Sequence, residues 1–324
     1  VEGPANVVYK IKLNKTIRPE KIESEKGSLK LQLELDEKHH ISIKIGGGHV
    51  LIDVPKLDSE RYFVDAKKDL WEKWQRPNND LSVPMGINQT GEIVDLNFSA
   101  SNTPHLLIGG TTGSGKSEAL NTILAGLVRY YSSEELRLFL VDGKGTDLLI
   151  FEDSDHLHGE IGDTDDDAIG QLKELVNEMN DRYDRFKAKR LRDLKSYNHS
   201  VDPSDRLPWI VIVLDEYADL TSDSDKKKII EALLKRVAQK GRASGVHVII
   251  ATQKPSGTVI STDLRSNLPA QLALQVRSGI ESRVIMDAGG AESLNGKGDG
   301  FLNSAGTLIR VQCAMVSEES LSLL

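Results

Sequence analysis

Between Gly109 and Ser117 the chain reads GGTTGSGKS, with glycine at 109, 110, 113 and 115 and a Lys-Ser pair at the end. Few features constrain a fold more. Glycines let a backbone turn tightly enough for successive N–H groups to face one anion. The preceding PHLLIGG reads as a short buried strand. The following Leu120, Ile123, Leu124, Leu127 and Val128 recur at helical spacing. Strand, glycine loop and helix together make a phosphate cradle, because a helix start offers unpaired N–H donors and the positive end of its dipole. Gly110, Thr111, Thr112, Gly113, Ser114, Gly115, Lys116 and Ser117 fit G-x-x-x-x-G-K-[ST] without a mismatch, and Glu118 follows at the helix head. In this pattern Lys116 reaches the β- and γ-phosphates of ATP and the Ser117 hydroxyl sits on Mg²⁺.

The sequence has 324 residues, 39% of them hydrophobic, enough for one large core and a smaller unit. No run approaches the length of a membrane-spanning helix. The opening VEGPANVVYKIKL lacks the basic and apolar regions of a signal peptide and reads as the cut end of a longer protein. A single cysteine, Cys313, excludes an internal disulfide framework and suits a reducing cytoplasm. It falls in the strand-like TLIRVQCAMV, which makes it a core residue. The net charge of −8 argues against a generally adhesive nucleic-acid binder but leaves room for basic groups on a few loops. The acidic GDTDDDAIG at 162–170 reads as a solvated helix start.

Residues 1–80 differ in pattern from 81–324. NVVYKIKL, HHISIKI and HVLIDVP are strand-like, with a glycine turn before His49, and ESEKGSLKLQLELDEK is helical. These predict a small α+β domain. WEKWQRPNNDLSVPMGI, with Pro77 and Pro84, reads as a linker. Beyond it, HLLIGG, LRLFLVD, WIVIVLDE, VHVIIAT, AQLALQV and TLIRVQCAMV read as strands, and helices are expected over about 116–131, 166–190, 226–243 and 281–286. Apolar strands alternating with helices imply an α/β fold with a mainly parallel sheet covered on both faces. Ligands of such sheets bind at the carboxyl ends of the strands.

The polar residues gather at those ends. WIVIVLDEYADL is an apolar strand followed by Asp215-Glu216, the Walker B pattern. Asp215 is expected to hold Mg²⁺ through water and Glu216 to orient or deprotonate the attacking water. Thr252-Gln253 ends another strand, and Gln253 can touch the γ-phosphate or that water. Arg242 and Arg283 are candidates for the positive charge that phosphoryl transfer needs, often from a neighbouring subunit.

Taken together, PHLLIGGTTGSGKSEALN, IVIVLDEYADL, AQKGRASGVHVIIATQKPS and the run from SNLPAQLALQV through ESRVIMDAGGAESLNGKGDGFL resemble the FtsK/SpoIIIE family of DNA-translocating motors, over residues 85 to about 316. Residues 3–75 resemble, more weakly, the small domain that precedes the motor. The resemblance implies a RecA-like P-loop ATPase, a homohexameric ring around double-stranded DNA, and ATP bound between subunits. Arg242 is then the better candidate for the arginine supplied by a neighbour, with Arg283 second. Lys254 and Arg265 take the places of basic pore-loop residues that touch DNA phosphates. Gly279 stands where the family usually has Lys, and Arg277 could replace it. Asp142-Gly143-Lys144 departs from the family's Asp-Pro-Lys. No counterpart of the family's winged-helix domain follows residue 316. The P-loop segment is also similar to that of motor subunits of phosphorothioation-dependent restriction systems, where nuclease or other subunits would be partners. Plasmid-transfer motors and type VII protein-export ATPases share the pattern.

Overall fold

The protein is described from a computed structural model, over residues 2–12, 19–36, 39–46, 48–57, 59–304 and 306–321. Strands β1 (Asn6–Ile11), β2 (Ser42–Gly46) and β3 (His49–Pro55) form an antiparallel sheet in the order β1-β3-β2. Helices α1 (Pro19–Ser24) and α2 (Lys26–Gln32) lie between β1 and β2 in the chain. Buried Ile41, Ile43, Val50 and Ile52 pack with Ile22 and Leu29, so this sheet has its own small core. The expected helix over 23–38 is two shorter pieces; residues 37 and 38 lie outside the described set.

The larger sheet has nine strands in the order β5-β4-β12-β11-β10-β6-β9-β8-β7. These are β4 (Ser82–Asn88), β5 (Ile93–Asn97), β6 (His105–Gly109), β7 (Leu136–Asp142), β8 (Trp209–Asp215), β9 (Val246–Thr252), β10 (Ala270–Leu274), β11 (Asp299–Ser304) and β12 (Thr307–Cys313). The run β10-β6-β9-β8-β7 is parallel. Helices α3 (Lys116–Tyr130), α4 (Asp165–Ala188), α5 (Leu194–Ser200), α6 (Tyr217–Leu220), α7 (Ser224–Ser244), α8 (Thr262–Ser266), α9 (Gly279–Met286) and α10 (Glu318–Leu321) connect or follow them. The expected α/β architecture and the four longer helices are present. From β10 to β5 the sheet continues antiparallel.

That antiparallel extension corrects the linker reading of 71–87. Leu70 and Trp71 are buried, and residues 82–88 are a strand paired on both sides. Pro84 made this strand hard to see, because proline donates no ladder hydrogen bond. The ladder avoids the problem locally. β12 pairs only with Gly86–Asn88, and the register against β5 shifts between Pro84 and Gly86. A bulge of this kind tolerates proline inside a sheet.

One apolar layer joins α3 to the sheet through Leu120, Ile123, Leu124 and Leu127, which meet Val83, Leu106 and Leu272. The other joins α4, α7 and α9 through Leu172, Leu234 and Ile285, which meet Leu107, Ile212 and Ile250. Burying each such side chain is worth about 1.5–3 kcal/mol. The acidic run starts α4. Thr164 and Asp167 form a reciprocal capping box, and Lys226 pairs with Asp165 and Asp166 at 2.6 and 2.8 Å. Cys313 is buried, and burial pushes its thiol up to about 12, in keeping with a core role.

Two fully buried histidines sit at the amino ends of β6 and β9. His105 Nδ1 accepts from Val248 N–H at 3.1 Å and its Nε2 donates to Ala238 O at 3.0 Å, so the ring is neutral. His247 Nδ1 donates to Pro104 O at 2.9 Å. Burial lowers their pKa values from 6.5 to about 4 and about 3. The unfolded chain therefore takes up protons that the folded chain refuses. This stability is fully present above pH 6.5 and is lost as pH falls through about 4. The midpoint of urea unfolding should decline over that window, and His247→Phe should flatten the slope whatever it does at pH 7. An equal slope in the variant would contradict this assignment.

Candidate nucleotide site

The parallel strands stop at one level: Asp142 lies opposite Asp215, and Gly109 opposite Thr252. The residues that follow them converge on a cavity of about 450 Å³. Its walls include Thr111, Thr112, Gly113, Lys116, Ser117 and Glu118 of the glycine loop and α3, with Lys144, Asp147 and Gln253. Phe63, Cys313, Ala314 and Met315 line it as well.

The glycine loop is clasped from outside by the GKGDG turn at 296–300. Gly298 N–H donates to Ser114 O at 2.8 Å. Gly115 has φ +97°, and a Cβ there would lie 2.4 Å from Gly298 N. Gly298 itself has φ +86° and no room beside Gln312 Nε2 and Cys313 O. Arg61 in turn donates to Asn295 O and Gly296 O at 3.1 and 3.0 Å. Two close glycines thus allow one loop to brace the other.

Lys116 is buried and its ammonium is hydrogen-bonded to Asp215 Oδ1. Burial raises the Asp215 carboxyl pKa, against the opposing pull of Lys116. Glu216 is buried too, in a left-handed backbone conformation with φ +47°. Its Oε1 accepts from Gln253 N–H at 3.1 Å and Thr252 Oγ1 at 3.4 Å. Gln253 Oε1 accepts from Thr112 Oγ1 at 2.8 Å, which joins the β9 end to the glycine loop. Ser117 Oγ donates to Asp147 Oδ2 at 2.6 Å. Glu118 is exposed at the helix head, and partial desolvation followed by the nearby Asp147 charge raises its pKa.

The donor and acceptor set fits Mg²⁺ and a polyphosphate. Ser114 Oγ and Asp215 Oδ2 are buried and make no hydrogen bond, an arrangement that costs about 1–3 kcal/mol per atom unless a ligand or water completes it, while Glu216 Oε2 meets the Lys144 ammonium at 3.0 Å. Ser117 and Asp215 are the residues that could hold the metal, directly or through water, and Lys116 the one that could hold the phosphates. The apolar side chains of Phe63, Ala314 and Met315 suit a flat base.

The arginines and the remaining lysine lie elsewhere. Arg242 ends α7 beside the amino end of β9, away from this cavity, with Nε 3.4 Å from Ser99 O. Arg283 is exposed on α9 and donates to Gly279 O at 3.1 Å. Lys254 follows β9 and pairs with Asp219 at 3.3 Å, both largely exposed. Arg277 is exposed after β10. Arg265 precedes the amino end of β10; it donates to Arg283 O and Val284 O and pairs with Asp287 at 2.9 Å.

The sequence profile of the FtsK/SpoIIIE family matches residues 67–257. The chain belongs to the FtsK/SpoIIIE family. It is 36% identical over 329 residues to a protein named DNA translocase FtsK from Leptospira interrogans, covering 98% of this chain and 34% of that protein. A second, from Clostridium tetani, is 39% identical over 279 residues, covering 85% of this chain and 37% of that protein. The chain thus spans about a third of the length of these relatives. Among solved structures, the pCW3 conjugation coupling protein TcpA with ATPγS superposes with a TM-score of 0.70 at 21% identity, covering 98% of this chain and 88% of that one. The cytoplasmic domain of the Thermomonospora curvata type VII secretion ATPase EccC gives 0.67 at 26% identity, covering 90% and 32%. The fold is that of the P-loop ATPases of the FtsK/SpoIIIE type.

Sequence reasoning missed Asp147, Phe63 and the clasp of Gly298. Asp147 and Phe63 match no motif by themselves, although Phe63, at 58% exposure, is an unusually exposed aromatic. The clasp was visible only as the distinctive GKGDG string.

Gly298→Ala should cost about 1–2 kcal/mol in backbone strain alone and weaken nucleotide binding, as measured by calorimetry; unchanged affinity would show that the clasp does not shape the loop. Lys116→Ala should abolish ATP binding, whereas Glu216→Gln should bind ATP and stall. Equal loss of affinity in both would overturn that division of roles.

Proposed function

We propose that this chain is the motor portion of an ATP-driven double-stranded DNA translocase that works as a ring, most simply a homohexamer. The carrying observation is that Lys116, Ser117 and Gln253 line one cavity while Lys116 holds Asp215 and the Gln253 backbone holds Glu216 directly behind it, within a chain of the FtsK/SpoIIIE family. With Mg²⁺ bound through Ser117 and Asp215, the metal would neutralise charge on the phosphates. Lys116 holds the β- and γ-phosphates, and Gln253 and Glu216 orient a water. The water oxygen bonds to the γ-phosphorus, the bond to the leaving ADP oxygen breaks, and Glu216 accepts the proton. We also propose the division near residue 80 into a small α+β domain and the motor.

Arg242 supports the ring. It lies at the opposite sheet end from its own P-loop, so it can complete only a neighbour's site. Arg242→Ala should leave ATP binding intact and stop turnover. Doping in a Glu216→Gln subunit with intact Arg242 should restore some hydrolysis; no rescue at any ratio would point to Arg283 or a structural role.

For DNA, Lys254 is favoured over Arg265. Its exposed pair with Asp219 is worth about 0–1 kcal/mol, so a phosphate can displace Asp219 at little cost. Arg265 would have to surrender two carbonyls and Asp287. Lys254→Ala should reduce the slope of log affinity against log salt by about 0.7–0.9 and lower DNA stimulation of ATPase. Arg265→Ala should mainly lower the melting temperature. An unchanged salt slope and full stimulation in Lys254→Ala would exclude that contact. A wild type whose ATPase ignores DNA would favour a protein substrate instead.

A further inference from the structure

Lys144 lies outside the two Walker motifs, at the lysine of the Asp-Gly-Lys segment after β7, and its ammonium reaches the Walker B glutamate. It stands two residues beyond β7, whose end is in register with Asp215. Its Nζ lies 3.0 Å from Glu216 Oε2, in an ion pair outside hydrogen-bonding geometry. The two partners differ in access: the Glu216 side chain is 2% exposed, that of Lys144 36%. Lys144 also lines the cavity with Thr111, Thr112 and Gln253. Burial opposes its charge, but Glu216, Asp147 and Asp215 outweigh burial and raise its pKa, so it is a cation throughout the working range.

The loop that presents Lys144 is built independently of this side chain. Asp142 is buried, and its carboxylate accepts from Lys144 N–H at 3.0 Å, Asp147 N–H at 2.7 Å and Leu148 N–H at 3.1 Å. These bonds use only the backbone of residue 144. The same loop brings Asp147 to Ser117. One turn therefore touches both the carboxylate that handles water and the hydroxyl expected at the metal.

The geometry points to Lys144 as a positioning residue that ties the Glu216 carboxylate to the terminal phosphate of ATP and so separates triphosphate from diphosphate. This rests on the reading that ATP is hydrolysed here. Glu216 Oε1 is fixed by the Gln253 backbone, which leaves Oε2, beside Lys144, as the oxygen that would take the proton of the attacking water. A mobile carboxylate would lose that aim. Lys144 restrains Oε2, and its ammonium has three donors, so it can bond a γ-phosphate oxygen while staying beside Glu216. A diphosphate ends one phosphate short and gives Lys144 nothing beyond Glu216. Its charge also offsets the repulsion between Glu216 and an incoming anion, which two carboxylates at the strand ends would otherwise impose.

The test compares Lys144→Met and Lys144→Arg with wild type by calorimetric titration of ADP and of ATPγS, both with Mg²⁺ and without DNA, followed by steady-state ATP hydrolysis. Methionine keeps the length and the backbone bonds to Asp142 and removes the charge. The expected result for Lys144→Met is a loss of about tenfold or more in ATPγS affinity with ADP affinity within about twofold, and a fall in kcat beyond what saturating ATP restores. Lys144→Arg should recover part of both, at an unchanged melting temperature. ADP and ATPγS affinities that fall together, or ATPγS affinity that does not change, would overturn the inference. Because DNA is absent from these titrations, failure of DNA to stimulate the wild type would sink the translocase reading alone.

Discussion

The functional end of this protein depends on the parallel register that stops β6, β7, β8 and β9 at a common level. Gly109 faces Thr252 across one pairing, and Asp142 faces Asp215 across another. A slip of one residue would turn every side chain of a strand to the other face. It would separate Asp215 from Lys116 and carry Glu216 away from Gln253. The register is held by apolar residues on both faces of the sheet, Leu106 and Val211 on one side, Leu107 and Ile212 on the other. The cores that stabilise the fold therefore also set the geometry of the site.

On that platform the charged and polar groups are arranged as pairs. Lys116 meets Asp215, Lys144 meets Glu216, and Ser117 meets Asp147. Only Lys116–Asp215 is buried on both sides, and removing one partner of such a pair leaves an uncompensated charge, at about 3–5 kcal/mol. Each pair includes a group proposed above to serve nucleotide, metal or water, and on that proposal binding exchanges partners. Ser114 Oγ and Asp215 Oδ2, buried without hydrogen bonds, are the oxygens still open to a new partner.

Much of this was legible in the sequence, for a physical reason. A phosphate loop must use glycine, lysine and serine in close order, and fully buried strands must be apolar throughout, so both leave local signals. Residues 82–88 left a false one: Pro84 argues against a strand until the bulge and the short β12 pairing are known. Asp147 and Lys144 could not be placed from spacing, because the Asp142 loop that aims them is defined by backbone hydrogen bonds. Arg265 reads as a basic loop residue, but its commitment to the end of α9 depends on contacts eighteen and nineteen residues away. The clasp on the glycine loop spans a still longer separation, from Gly298 to Ser114.

The small sheet is tied to the same end of the larger one. Arg310 of β12 pairs with Asp53 of β3 at 2.5 Å and with Asp299 of β11 at 2.7 Å, and Asp299 also accepts from Asn295 N–H next to the GKGDG turn. The clasp, the small sheet and the glycine loop thus form one hydrogen-bonded chain around the cavity. The central claim is that this cavity is a metal-dependent nucleoside triphosphate site. Calorimetric titration of the wild-type chain with ATPγS, with and without Mg²⁺, tests it most directly. One site per chain, with affinity that falls sharply when Mg²⁺ is removed, is the expected result. Absence of saturable binding, or affinity indifferent to Mg²⁺, would contradict it.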